Sequence, residues 1–171
     1  MKSVEITGKR NIDGIKNIKT HQRKSVTNWK LDDSYFTYLK HIEIINRLYL
    51  EQTIGHEILV KREITKKIKG YEKQDIQKSL FDMNKLISLN QVIERLMESK
   101  LKCFYCHEKC ELLYRDVLSK KQWTLDRIDN DVGHNYDNVV ICCLECNVKR
   151  GSMDSERFKR GKEIKIVRKQ F

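Results

Sequence analysis

The chain has 171 residues, 35 Lys/Arg against 24 Asp/Glu and a formal charge of +11, with 39% apolar residues and no proline. That is one domain or a domain with an appendage, with enough apolar material for a modest core. No apolar run approaches the roughly 18 residues of a membrane span, and the N-terminus lacks the apolar stretch of a signal peptide, so a non-membrane, intracellular protein is expected.

The charge is segregated. Residues 1–30 carry eight basic residues against Glu5 and Asp13, residues 149–171 carry nine against three, and residues 31–148 are close to neutral. Two basic ends suit a polyanion, because Lys and Arg release condensed counterions from phosphate, although solvated tails have the same composition.

In chain order, residues 1–30 show no periodicity and read as a flexible basic arm. From Asp33, the spacing of Tyr35, Leu39, Ile42, Ile45 and Tyr49 predicts a helix that Gly55 ends or interrupts. Val60, Ile64 and Ile68 predict a second, very basic helix up to Gly70, and Gln74–Phe81 is a weaker candidate. Ser88-x-x-Gln91 fits a capping box ahead of Leu89, Ile93, Leu96 and Met97, predicting a helix to about Lys100. Residues 31–100 therefore read as a helical region, its aromatics assigned to core. The next stretch changes character: Leu112–Tyr114, Trp123–Ile128 and Val139–Cys142 read as strands, Asp129–Asn138 as a polar loop, and a helix should run through Asn147, Lys149 and Arg150 towards Gly151. Residues 154–171 read as a basic tail.

All six cysteines fall between Cys103 and Cys146. Cys103-x-x-Cys106 and Cys143-x-x-Cys146 put four thiolates within reach of one tetrahedral Zn²⁺. Cys142 and Cys143 are neighbours on a strand and point to opposite faces, so both cannot easily be ligands. Cys110 and Cys142 are left over, and His107 is not needed as a ligand.

From Trp123 the chain reads WTLDRIDNDVGHNYDNVVICCLECNVKRG. Strand, loop, strand and a helix entered through CxxC-Asn resemble the HNH endonuclease family, in its four-cysteine branch of the recombination endonuclease VII type. The resemblance covers residues 101–153. It implies a small zinc-stapled ββα-metal finger, which together with the helical region read before it makes an α+β architecture. It further implies a catalytic Mg²⁺ or Mn²⁺ between Asp126 and Asn147, with Asn138 tying down the loop. One carboxylate and one amide carbonyl are the oxygen donors such an ion takes. The implied activity is hydrolysis of DNA phosphodiesters, on double-stranded or branched DNA, with no small-molecule cofactor and an oligomeric state left open. LDRID variants occur in phage and giant-virus proteins, so a viral or mobile-element origin is expected.

The family's general base is a His directly after the strand Asp, and here that residue is Arg127, which cannot accept a proton at neutral pH. Three readings stay open. His134 swings in as the base; Asp129, on the strand face of Arg127, orients the water while Arg127 braces the phosphate; or catalysis is lost and DNA binding remains. Lys149 and Arg150 are expected beside the scissile phosphate, with a solvated helix face as the alternative. A zinc domain for protein contacts is the third functional class.

Overall fold

A computed structural model describes residues 29–53 and 55–164. Nearly all of the basic arm, and residues 165–171 of the basic tail, lie outside the described residues. The elements run in order as a short 3₁₀ turn (Asp33–Phe36), α1 (Tyr38–Tyr49), α2 (Glu57–Gln77), α3 (Leu89–Glu98), β1 (Trp123–Arg127), a 3₁₀ turn (Tyr136–Asn138), β2 (Val139–Cys143), α4 (Leu144–Arg150) and α5 (Ser155–Glu163). This is a mixed α+β arrangement, helices first and then a two-stranded antiparallel sheet.

Capping sets the helix starts. Thr37 accepts from the Lys40 N–H at α1, and at α3 Ser88 and Gln91 form the full reciprocal capping box. The buried stripe of α1 is His41, Ile44, Ile45 and Leu48. It is rotated from the expected one: Leu39 and Tyr49 are exposed, while α1 packs on α3. Helix α2 buries Val60, Ile64 and Ile68 as expected but runs on through Gly70 to Gln77, where Tyr71 and Asp75 continue the same face. Gly70 costs a helix only about 1 kcal/mol, which packing on both sides of it outweighs. The candidate over Gln74–Phe81 is thus the last turn of α2 followed by irregular chain.

In the sheet, Trp123 faces Cys143 and Asp126 faces Val140. Leu112–Tyr114 is not a strand; only Glu111 makes a single bridge, to Gln122, while Leu112 and Leu113 turn into the core. The basic tail contains α5, capped by Asp154, with its buried Ser155 and half-buried Phe158 against Tyr105. One continuous cluster of buried side chains runs from Ile44 and Ile64 through Leu96 and Leu113 to Trp123, Ile141 and Cys146. No helix among the described residues is long and apolar enough to cross a membrane.

Candidate metal centre and the adjoining cleft

The sulfurs of Cys103, Cys106, Cys143 and Cys146 all lie within 4.8 Å of one another, with Cys106 and Cys143 4.0 Å apart. A tetrahedral ion with bonds of about 2.3 Å sets its sulfurs roughly 3.8 Å apart, so the donor set fits zinc. Local structure places each ligand. The first knuckle is stitched to β2 by the Phe104 N–H on the Ile141 carbonyl and closed by the His107 N–H on the Cys103 carbonyl. Cys143 ends β2 and is also the N-cap of α4, so the second CxxC straddles a strand–helix junction. A metal here staples sheet, helix and knuckle at one point.

Four thiols this close cannot ionise independently. The Cys143 thiol donates to Cys103 and holds Cys103 below the ordinary thiol range, while burial and then the Cys103 thiolate push Cys146 up to about 12. Repulsion of this kind is relieved by a divalent cation. Cys110 and Cys142 are buried with raised pKa values and lie outside the cluster; Cys142 sits on the opposite face of β2, beside the Thr124 hydroxyl. His107 is exposed and also outside it.

At the other end of the hairpin lies a cleft of about 570 Å³, lined among others by Lys67, Asp126, Arg127, His134 and Asn147. Asp126 is buried, its Oδ1 accepting from Arg150 Nη1 at 2.7 Å and its Oδ2 from the Tyr105 hydroxyl at 2.6 Å. Asn147 donates its amide Nδ2 to Thr124 Oγ1 and the Leu125 carbonyl, both at 3.1 Å, which leaves Oδ1 as its unused acceptor. Asn138 accepts from the Asp129 N–H and donates to the carbonyls of Asp129, Val132 and Gly133, so its amide holds the loop closed.

Several expected placements change. Arg127 donates to the carbonyls of Asn130 and Val132 and is buried, bracing the loop instead of standing open to a phosphate. Asp129 is not on the strand, which ends at Arg127. It is exposed, outside the cleft, and caps the Asp131 N–H. Arg150 is fully buried, donating to Asp126 and to the carbonyls of Arg127 and Ile128, so neither a solvated face nor an external phosphate contact describes it. Lys149 is exposed and paired with Glu145.

His134 does not need to swing. Its backbone N–H donates to Asp75 Oδ2 and its ring Nδ1–H to Asp75 Oδ1, both at 2.7 Å, and the ring stacks on Tyr71 at 4.6 Å. Burial lowers its pKa, against the raising effect of Asp75, so the imidazole is neutral at pH 7 with Nε2 as the free acceptor. The loop is fixed further by the Ile87 N–H on the His134 carbonyl, and by Arg95, which donates to the Tyr136 carbonyl while lying over the Tyr136 ring.

The residues that sequence reading missed lie on α2. Lys67, Tyr71 and Asp75 recur every four residues on one face. Lys67 donates to the Trp123 carbonyl and to Gln122, the Tyr71 hydroxyl accepts the Leu125 N–H, and Asp75 takes His134. Burial holds the Lys67 pKa down to about 7. The available signal was a Lys-x₃-Tyr-x₃-Asp stripe that continues an apolar face with polar residues, which a surface helix would turn outward.

No known family profile and no solved structure matches the chain. An uncharacterized protein of Acanthamoeba polyphaga mimivirus is 35% identical over 68 residues, which are 40% of this chain and 11% of that protein. The chain therefore spans only about a tenth of the length of this relative, whose giant-virus source fits a viral origin.

Proposed function

We propose that the protein is a zinc-stapled, HNH-type, metal-dependent DNA endonuclease. The observation that carries the reading is the buried Asp75–His134 pair, whose imidazole lines the same cleft as Asp126 and Asn147. Arg127 cannot serve as a base, and His134 supplies one, neutral and held in a single tautomer by Asp75. Asp126 and the free Oδ1 of Asn147 are the oxygen donors that suit Mg²⁺ or Mn²⁺. Bound there, such an ion would neutralise phosphate charge and stabilise the leaving oxygen. The cysteine cluster ties α4 to β2, which pairs with β1, so the elements that carry those two donors are joined through it. Lys67, whose pKa burial holds down to about 7, places an amine that is only partly charged at neutral pH on the wall of the cleft, and Asp75 acts as a positioning residue through His134.

The test is nicking of supercoiled plasmid with Mg²⁺ or Mn²⁺. Asp126→Ala and Asn147→Ala should abolish nicking with zinc content unchanged. His134→Ala should lower the rate by roughly 10²–10⁴, the usual cost of a lost general base. Arg127→His, which restores the family's residue, should not raise the rate, since Arg127 is committed to the loop carbonyls.

One observation favours a second reading, a DNA-binding finger without catalysis: both oxygens of Asp126 are already engaged, one by the buried Arg150. Duplex binding with no cleavage of linear, supercoiled or branched DNA would select it.

A further inference from the structure

The geometry points to the outer stripe of α2, Arg62, Lys66, Lys69 and Lys73, as the surface that holds duplex DNA by its phosphate backbone. This rests on the reading of the protein as DNA-acting and adds where the duplex lies. The spacing of four, three and four residues puts all four cations on one narrow arc of the helix, opposite the buried face of Val60, Ile64 and Ile68. All four are exposed. Residues 31–148 are near neutral overall, so this is charge gathered on one face and not a general excess.

The groove along the stripe is lined only by α2 residues, none with a large apolar side chain, and its single carboxylate is Glu63. Glu63 lies 3.6 Å from Arg62 and 3.7 Å from Lys66, and Lys69 and Lys73 enter no ion pair among the described residues. Glu63, Lys66 and Gly70 line both this groove and the cleft that holds Asp126 and His134. From residue 62 to 73 the helix rises about 16 Å, the axial length of roughly five base pairs at 3.4 Å each. A backbone laid along the stripe therefore runs beside the cleft, which borders α2 over the same turns.

Other polyanions fit less well. A protein partner would need an apolar or aromatic anchor, and the groove has none. A bilayer would need a continuous apolar face, but the two exposed large apolar residues of α2, Ile58 and Ile76, are separated by about 27 Å of helix.

The experiment is fluorescence anisotropy with a labelled duplex against the zinc-loaded full chain over a range of salt. Arg62, Lys66, Lys69 and Lys73 are all changed to Gln in one variant. The slope of log affinity against log salt should flatten by about 3–4, with a loss on the order of 10²–10³-fold near 0.1 M salt. A second variant, Lys69→Glu with Lys73→Glu, should lose affinity more steeply per residue changed, and circular dichroism with zinc analysis checks that both are folded. If wild type binds and both variants keep its slope, the stripe is a solvated face and this inference fails while the proposed function stands. If wild type binds no duplex, both fall. Tighter binding to phosphatidylserine vesicles than to duplex also overturns the stripe.

Discussion

The two ends of the β-hairpin are held by opposite means. At the cysteine end, four sulfurs lie within 4.8 Å of one another, a donor set that fits a structural metal ion at the junction of knuckle, strand and α4. At the cleft end, the His134 loop is held by hydrogen bonds and ring contacts: Asn138 and Arg127 bond it from within the hairpin, Asp75, Ile87 and Arg95 from the helical region, and Tyr71 stacks on the His134 ring. A metal staple is local and cheap in sequence, needing two CxxC pairs. The hydrogen-bonded end needs a separate layer of helices to provide a buried carboxylate in the right place. The same small sheet thus has one end that answers to metal and one that answers to packing.

The contrast is broken most forcefully at the staple. Cys106→Ser should take bound zinc from one per chain to none by metal analysis and unfold the knuckle and α4, while Cys142→Ala should keep the metal. Chelation of wild type should open the amides of Phe104 and His107 to hydrogen exchange well before those of Leu125 and His134, which bond to Tyr71 and Asp75. Simultaneous loss at both ends would mean that the cluster supports the loop as well. At the other end, Asp75→Ala leaves two buried donors of His134 unpaired, each costing about 1–3 kcal/mol. Urea denaturation should therefore show a loss of about 2–5 kcal/mol with zinc stoichiometry unchanged.

This difference also decides what could be read from the sequence. The cysteine end was legible because its ligands come in pairs three residues apart and metal geometry tolerates few alternatives. The α3 helix and its capping box were legible for the same reason, since partner and recipient are three residues apart. The loop end was not. Asp75 and His134 are 59 residues apart, and the Lys67, Tyr71 and Asp75 stripe that continues the apolar face of α2 does not say which strand or loop it meets. The rotated stripe of α1 failed similarly: Leu39 and Tyr49 are apolar but α3 covers a neighbouring arc. Arg150 was expected beside the scissile phosphate, with a solvated helix face as the alternative, because charge favours water or phosphate, and only the structure reveals the buried carboxylate that holds it.

A third joint, between the helical layer and the approach to the sheet, is sensitive to acid. His41 is buried on α1 and its Nδ1 accepts the Leu112 N–H, so it is held neutral, with burial lowering its pKa to about 4 from the ordinary 6.5. Above pH 6.5 neither folded nor unfolded chain binds this proton. Below it the unfolded chain does so first, so stability falls as the pH drops from 6.5 towards 4 and levels off below. The full effect is about 3 kcal/mol. His41→Asn, which keeps an acceptor for Leu112, should flatten urea midpoints across this window relative to wild type. An equal slope in both proteins would assign the acid sensitivity to other groups, among them His134, whose pKa burial also lowers.

The smallest expected effect is the sharpest probe of the cleft end, because it changes one methyl group. A Cβ on Gly133 would lie 2.6 Å from the Leu80 carbonyl oxygen and 3.0 Å from Asp75 Oδ2. The first contact is with backbone in the irregular chain just after α2, so it cannot be relieved by a rotamer change; one of the two backbone segments has to move. Gly133→Ala should cost about 1–3 kcal/mol, the usual range for overpacking. Its direction is specific. Movement at Gly133 strains the adjoining Asp75–His134 contact, so the His134 ring resonances should shift and its pKa should move towards the ordinary value as the ring gains water. The cysteine end should keep its zinc and its exchange protection. In the nuclease reading, cleavage should fall with the loss of the His134 geometry while duplex affinity, carried elsewhere, holds. An alanine variant with unaltered His134 resonances and full stability would show that the loop does not depend on this close approach, and the cleft end would then be held less tightly than its hydrogen bonds imply.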